Sequence, residues 1–278
     1  MSGASFQELR ISCMGVHVNL YCDHEPFMEL LRRNFDGMKS TAAPVYTLDY
    51  QVQQRPGNGG FTIARRDSDF GRRFDQASEM IYLLEGDLVV QLQLLRADLL
   101  FVHSAVVAVD EEAHLLVGGS GAGKSTTCWG LVHHGYHYVS DELAPIMIDA
   151  GLVAPYSHAL CMKSAPPTDY PVPDATCATG RGYHIPLSAM PTVPIEDELP
   201  VRTIFFIDYQ PDNDSATATR IGHAEAAARL YPNILNALAH ENEGLDAAQQ
   251  VTSNVRCFRV NAAGLQSTCE VINRTVRA

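Results

Sequence analysis

Lysine is scarce in this chain. Of 278 residues only Lys39, Lys124 and Lys163 are lysines, and 20 basic residues face 32 acidic ones, for a formal charge of −12. A chain this acidic lacks the basic field that nucleic-acid binding requires, so no nucleic-acid partner is expected. Long apolar runs are missing too. The longest, Leu99 to Val109, is broken by His103 and Ser104 and falls short of the roughly 20 residues of a membrane span, so no membrane partner is expected. The seven cysteines form no C-x-x-C pair, which excludes the usual zinc and redox spacings and predicts reduced thiols in a cytoplasmic protein. The first ten residues, MSGASFQELR, show no basic segment leading into an apolar core, so no secretory leader is read there. What is present, 46% apolar and 19% charged residues, is the composition of a globular chain with one large domain or two modest ones.

Apolar spacing predicts a strand within Leu9 to Leu20 and a helix over Pro26 to Phe35. Alternation predicts a hairpin of Tyr46 to Gln53 and Phe61 to Arg65 joined by the turn RPGNGG. A helix is expected over Ala77 to Leu95, broken or kinked at Gly86. A domain boundary after it would leave residues 1–97 as a small α+β unit and 98–278 as a second domain. Past Leu99 the pattern changes to near-continuous apolar runs, as in the buried strands of a covered sheet. A helix over Ser125 to His134 with Gly135 as its stop, a strand ending at Asp141, a strand over Thr203 to Tyr209, an Ala-rich helix near His223 to Ala239 and a last strand near Val255 to Val260 follow. Between them, Ser164 to Ser188 is dense in Pro, Gly and Thr and reads as a long loop, functional or mobile.

The chemistry is concentrated in Gly118, Gly119, Ser120, Gly121, Ala122, Gly123, Lys124 and Ser125, followed by Thr126. These residues satisfy G-x-x-x-x-G-K-S between an expected strand and an expected helix. Backbone N–H groups freed by the glycines can curl around a polyphosphate, the helix start adds unpaired donors, Lys124 neutralises phosphate oxygens, and Ser125 can offer its hydroxyl to Mg²⁺. Sixteen residues beyond Lys124, the next short strand delivers Ser140, Asp141 and Glu142. An Asp in that position can be a turn former or helix cap, or a Mg²⁺ ligand or a base for an attacking hydroxyl.

His103, GGSGAGKS and Ser140-Asp141-Glu142 follow one another at separations that resemble the catalytic core of the HPr kinase/phosphorylase family, over about forty residues from His103. The resemblance implies an α/β fold, a P-loop kinase domain of HPr kinase type with a mixed β-sheet core, preceded by the small α+β N-terminal domain. It implies ATP and Mg²⁺ as cofactors, Gly118 to Thr126 as the nucleotide-binding segment, Ser125 and Asp141 as metal ligands, and Asp141 as acid or base on the acceptor with His103 beside it. Two departures stand out. The second residue of the acidic pair is Glu142 where the family typically has aspartate, and the family segment around L-E-x-R-G-x-G is reduced to Arg181-Gly182. The chain is more similar to HPr kinase-like proteins encoded beside peptide-modification genes, including lasso-peptide kinases. The acceptor implied is then a serine or threonine of a peptide or small protein, with a small-molecule acceptor or a non-catalytic ATP switch as alternatives, and a homo-oligomer is compatible with the family.

Outside the motif, Arg181 reads either as a residue that reaches the γ-phosphate or acceptor or as a solvated loop arginine, and Lys163 as a candidate for nucleotide or substrate contact. Arg65, Arg66, Arg72 and Arg73 are nearly balanced by Asp67, Asp69 and Asp75 and read as a solvated hairpin face. His133, His134 and His137 lack a ligand-spaced cysteine or carboxylate and are read as structural.

Overall fold

The computed structural model describes residues 6–55, 57, 59–209 and 213–278. The first sheet has five strands in sequence order, β1 (Gln7–Cys13), β2 (Val16–Cys22), β3 (Tyr46–Gln54), β4 (Phe61–Arg65) and β5 (Gly71–Phe74). The single strand expected over Leu9 to Leu20 is instead a tight hairpin, because Met14 and Gly15 take left-handed φ of 50° and 75° and reverse the chain. β3 and β4 pair antiparallel as expected; two residues of the RPGNGG turn, Pro56 and Asn58, lie outside the described residues. Helices α1 (Glu25–Phe35) and α2 (Ala77–Leu95) sit at the expected places. Both turn apolar side chains into a core with the sheet that also takes in Leu99, Phe101, Leu143 and Tyr156 from later in the chain. α2 runs through Gly86 as one helix, so the expected break does not occur: eighteen other residues without proline hold the helical ladder across one weak position.

The apolar stretch after Leu99 splits at His103 into β6 (Leu100–Val102) and β7 (Ser104–Val109), which lie in different parts of a nine-stranded sheet. There β7 pairs antiparallel with both β8 (Glu112–Val117) and β9 (His137–Ser140), and β8 runs parallel to β15 (Leu199–Tyr209), itself parallel to β17 (Arg256–Ala262). The sheet is thus mixed. Short strands β10 (Ala144–Met147) and β11 (Leu152–Val153) extend it from β15 towards β6, and β16 (Thr217–Arg220) pairs with β17. α3 (Lys124–His133) and α6 (Leu265–Arg277) cover one face, while α4 (His223–Leu230) and α5 (Leu245–Ser253) cover the other.

The helix expected to reach Ala239 ends at Leu230, where Tyr231 and Pro232 begin a 3₁₀ turn, since proline cannot supply the N–H an α-turn needs. Nor is Ser164 to Ser188 one loop. β13 (Cys177–Thr179) and β14 (Gly182–Ile185) form a hairpin that pairs with β12 (Leu160–Met162) in a small third sheet.

Candidate active site

Register on the mixed sheet brings the motifs together. Ser104 at the start of β7 pairs with Val117 at the end of β8, and Val106 pairs with Ser140 at the end of β9. His103, Gly118 and Asp141 each lie one residue beyond those positions, so all three emerge at the same sheet edge, 38 residues apart in the chain from first to last. The phosphate-type loop leaves β8, turns through Gly121 and Gly123 at left-handed φ of 86° and 88°, and enters α3 at Lys124. A β-carbon on Gly118 would lie 2.6 Å from the Ile207 carbonyl oxygen of β15, so the loop's first residue must be glycine for the strands to approach. The first-turn N–H groups of α3 have no intrahelical acceptors and face the loop, and its first turn carries no acidic residue.

Lys124 is only 7% exposed, and its ammonium donates to the Gly118 and Gly119 carbonyls at 2.7 and 3.2 Å. Burial lowers its pKa, and a second cation, Lys163, adds to that shift. Lys163 follows β12, is exposed, and donates from Nζ to the Ser120 hydroxyl at 3.2 Å. It makes no ion pair among the described residues. Two of the three lysines therefore converge on one loop. The third, Lys39, pairs instead with Asp36, three residues before it.

The acidic pair divides by burial. Asp141 is 4% exposed, accepting the Tyr138 hydroxyl on Oδ1 and the Cys161 N–H on Oδ2, each at 2.9 Å. His158 Nε2 stands 3.7 Å from the same Oδ1. Burial raises the Asp141 pKa, and His158 works against that shift. Glu142 is exposed and makes no side-chain hydrogen bond among the described residues. Its backbone carbonyl accepts from His103 Nδ1 at 3.1 Å. Burial, and next Lys124, lower the His103 pKa, so the imidazole is neutral, protonated on Nδ1, with Nε2 left as an acceptor. Mg²⁺ takes one or two protein oxygens and completes its shell with water and phosphate. The Ser125 hydroxyl on the first turn of α3 and the Asp141 and Glu142 carboxylates, both close enough to act on the charge of Lys124, are a hard-oxygen set of that thin kind. No group of three or more His, Cys, Asp or Glu forms a closed metal cage among the described residues.

Arg181 stands in the two-residue turn between β13 and β14, with its guanidinium 4.4 Å over the Tyr82 ring of α2. It is thus drawn to the first sheet's helix by cation–π attraction. The arginine cluster is a solvated face at Arg66, Arg72 and Arg73, which are exposed, with Arg66 over the Tyr21 ring and Arg72 over Phe70; Arg65 departs from it, largely buried in an ion pair with Asp87 at 2.8 Å. His133 and His134 pack around Tyr170. The sequence offered no sign of one further feature, a buried polar chain behind Asp141. Glu85 of α2 accepts from Asn34 of α1 at 2.9 Å and lies 3.8 Å from His158 Nδ1, while Asn34 Oδ1 and Cys161 Sγ both contact His184 Nδ1 at 3.0 Å. These residues sit far apart in the chain and match no motif, so only their odd placement as polar groups in apolar context could have flagged them.

No family model matches the chain, and no curated protein matches it. Among solved structures, the Hpr(Ser) kinase/phosphatase from Coxiella burnetii is similar at a TM-score of 0.34 and 14% identity, over 64% of this chain and 88% of that one. A likeness this distant assigns neither fold nor activity, and the functional reading rests on the geometry of the loop and its neighbours.

Proposed function

We propose that the chain is an ATP- and Mg²⁺-dependent kinase that transfers the γ-phosphate to a hydroxyl, on a serine or threonine of a peptide or small protein. The observation that carries the reading is the meeting, at one sheet edge, of a glycine loop served by two lysines with His103 and the Asp141-Glu142 pair. The loop N–H groups and Lys124 hold the β and γ oxygens, and Ser125, with Asp141 or Glu142, would hold Mg²⁺. Bound there, the ion would offset negative charge on the transferred group. The acceptor oxygen bonds to the γ-phosphorus as the bridging oxygen–phosphorus bond breaks, ADP departs, and the hydroxyl proton passes to a carboxylate. Asp141 is the base in this reading, its burial raising its pKa and so making it a more basic carboxylate. The neutral His103 can accept a hydrogen bond from the same hydroxyl through Nε2.

A second assignment within the same reaction is favoured by one observation, the exposure of Glu142: it would make Glu142 the group that meets the acceptor and Asp141 its buried support. Transfer of labelled γ-phosphate to hydroxylated peptides separates these cases. Lys124→Ala and Asp141→Asn should each lose roughly a hundredfold or more. Glu142→Gln should lose less than Asp141→Asn if Asp141 is the base and more if Glu142 is. Undiminished transfer in both Lys124→Ala and Asp141→Asn overturns the kinase reading.

A further inference from the structure

A cavity of about 480 Å³ opens beside His103 and Glu142. It is lined by those two residues, Leu143 and Leu235, and along one wall by residues of α2. Tyr82, Gly86, Val90 and Gln93 line that wall, recurring at helical spacing on one side of α2. The lining exposes large apolar side chains, Tyr82 at 59%, Val90 at 49% and Leu235 at 43%, among the polar residues Arg72, Glu85, Asp87 and Gln93. On a soluble surface such a patch marks a binding site more often than scattered apolar residues do.

Gly86 is the telling residue. In a helix interior glycine costs about 1 kcal/mol relative to alanine, and a residue that costs stability needs a reason. Packing supplies none, because a β-carbon built at Gly86 meets no atom within 4 Å. The space it keeps open is the space of the cavity. From Tyr82 to Gln93 the stripe runs about 16 Å at the helical rise, room for roughly five residues of extended chain and more than a small metabolite fills.

We infer that this groove on α2 is the acceptor site, holding a peptide with apolar side chains laid along Tyr82, Gly86 and Val90 so that its hydroxyl reaches the sheet edge where His103 and the Asp141-Glu142 pair stand. The inference rests on the kinase reading and adds to it: the first sheet's helix selects the substrate, and the mixed sheet supplies the phosphoryl chemistry. The apolar side chains next to the phosphorylated residue give the recognition. Arg181 on Tyr82 and Arg72 on Phe70 place guanidinium groups near Tyr82 and Phe70, two residues of the lining.

The test uses the full-length protein, labelled ATP and a positional-scanning library of serine-centred peptides, with Gly86→Phe and Val90→Asp beside the wild type. ATP affinity is read by calorimetry and folding by thermal melting. The wild type should favour peptides with apolar residues flanking the serine. Each variant should lose roughly tenfold or more in acceptor kcat/KM, with ATP affinity and cooperative melting retained. Leu94→Gln, on the same helix, exposed and outside the lining, serves as the control for folding and for acceptor turnover. Variants that keep the wild-type kcat/KM and preference, or a wild type that binds ATP yet phosphorylates no peptide or shows no apolar preference, overturn the groove. A wild type that binds no nucleotide overturns the kinase reading as well.

Discussion

At the scale of single residues, the loop's glycines are not equivalent. Gly118 faces a backbone carbonyl that cannot step aside, whereas a β-carbon at Gly119 meets nothing within 4 Å. Gly118→Ala should therefore cost roughly 1–3 kcal/mol and Gly119→Ala no more than about 0.5 kcal/mol in urea unfolding. Lys163 is a residue whose importance the sequence only hinted at. An exposed ammonium 3.2 Å from the Ser120 hydroxyl has the reach to meet a phosphate oxygen, and one charge-assisted contact corresponds to roughly tenfold in affinity. Lys163→Ala should weaken ATP binding by about that factor while leaving AMP binding nearly unchanged, and Lys163→Arg should recover most of the loss. Calorimetry with the two nucleotides checks this. Equal losses for ATP and AMP would mean that Lys163 shapes the loop without touching the terminal phosphates.

At the scale of elements, α1 and α2 were legible in the residues to within a residue, whereas α5 and α6 were not read from them, although Leu265, Cys269, Ile272 and Val276 recur at helical spacing in α6. α3 was legible from its loop and its stop glycine: Gly135 takes φ of 90° two residues past the helix. Strand boundaries were less so. The run shows only two polar residues at His103 and Ser104; that they separate two strands is set by the pairing of β6 with β10, of β7 with β8 and β9, and by the bond from His103 N–H to the Asn233 carbonyl at 2.8 Å. The small third sheet was equally hidden, since its three strands are short and gain their stability from one another. α2 itself yields a prediction. Gly86→Ala should raise stability by about 1 kcal/mol, because a methyl there meets no atom and gains helical propensity. An increase in the urea midpoint at constant slope would show it.

For the whole molecule, the buried polar chain from Asn34 and Glu85 through His158 to Asp141 ties the first sheet's helices to the mixed sheet's site. Its energetics depend on pH. Burial raises Glu85 from an ordinary carboxylate to about 7. For His158 burial pushes down, but Glu85 and then Asp141 outweigh it and the net direction is up. Both shifts mean that the folded chain holds protons the unfolded chain releases earlier. Their stabilisation is complete below the unfolded pKa of Glu85 and declines as pH rises from there to about 7 and through the raised His158 value. Melting temperature should therefore fall between mildly acidic and mildly alkaline pH, and Glu85→Gln, which keeps the shape without the titration, should flatten the decline and melt higher than wild type on the alkaline side. An unchanged slope in Glu85→Gln would assign the pH dependence elsewhere.

The residues alone determined the α/β character, the glycine loop with Lys124 and Ser125, and the acidic pair that follows, because each is a local pattern whose chemistry is carried within a few positions. What the tertiary structure decided lies between distant positions. β7 had to run antiparallel to both β8 and β9 before His103, Gly118 and Asp141 could share an edge. β12 had to pair with β14 before Lys163 could reach Ser120, and α2 had to lie beside the Glu142 loop before Gly86 could open a groove onto it. No spacing rule encodes those meetings, since they follow from which buried surfaces exclude water together.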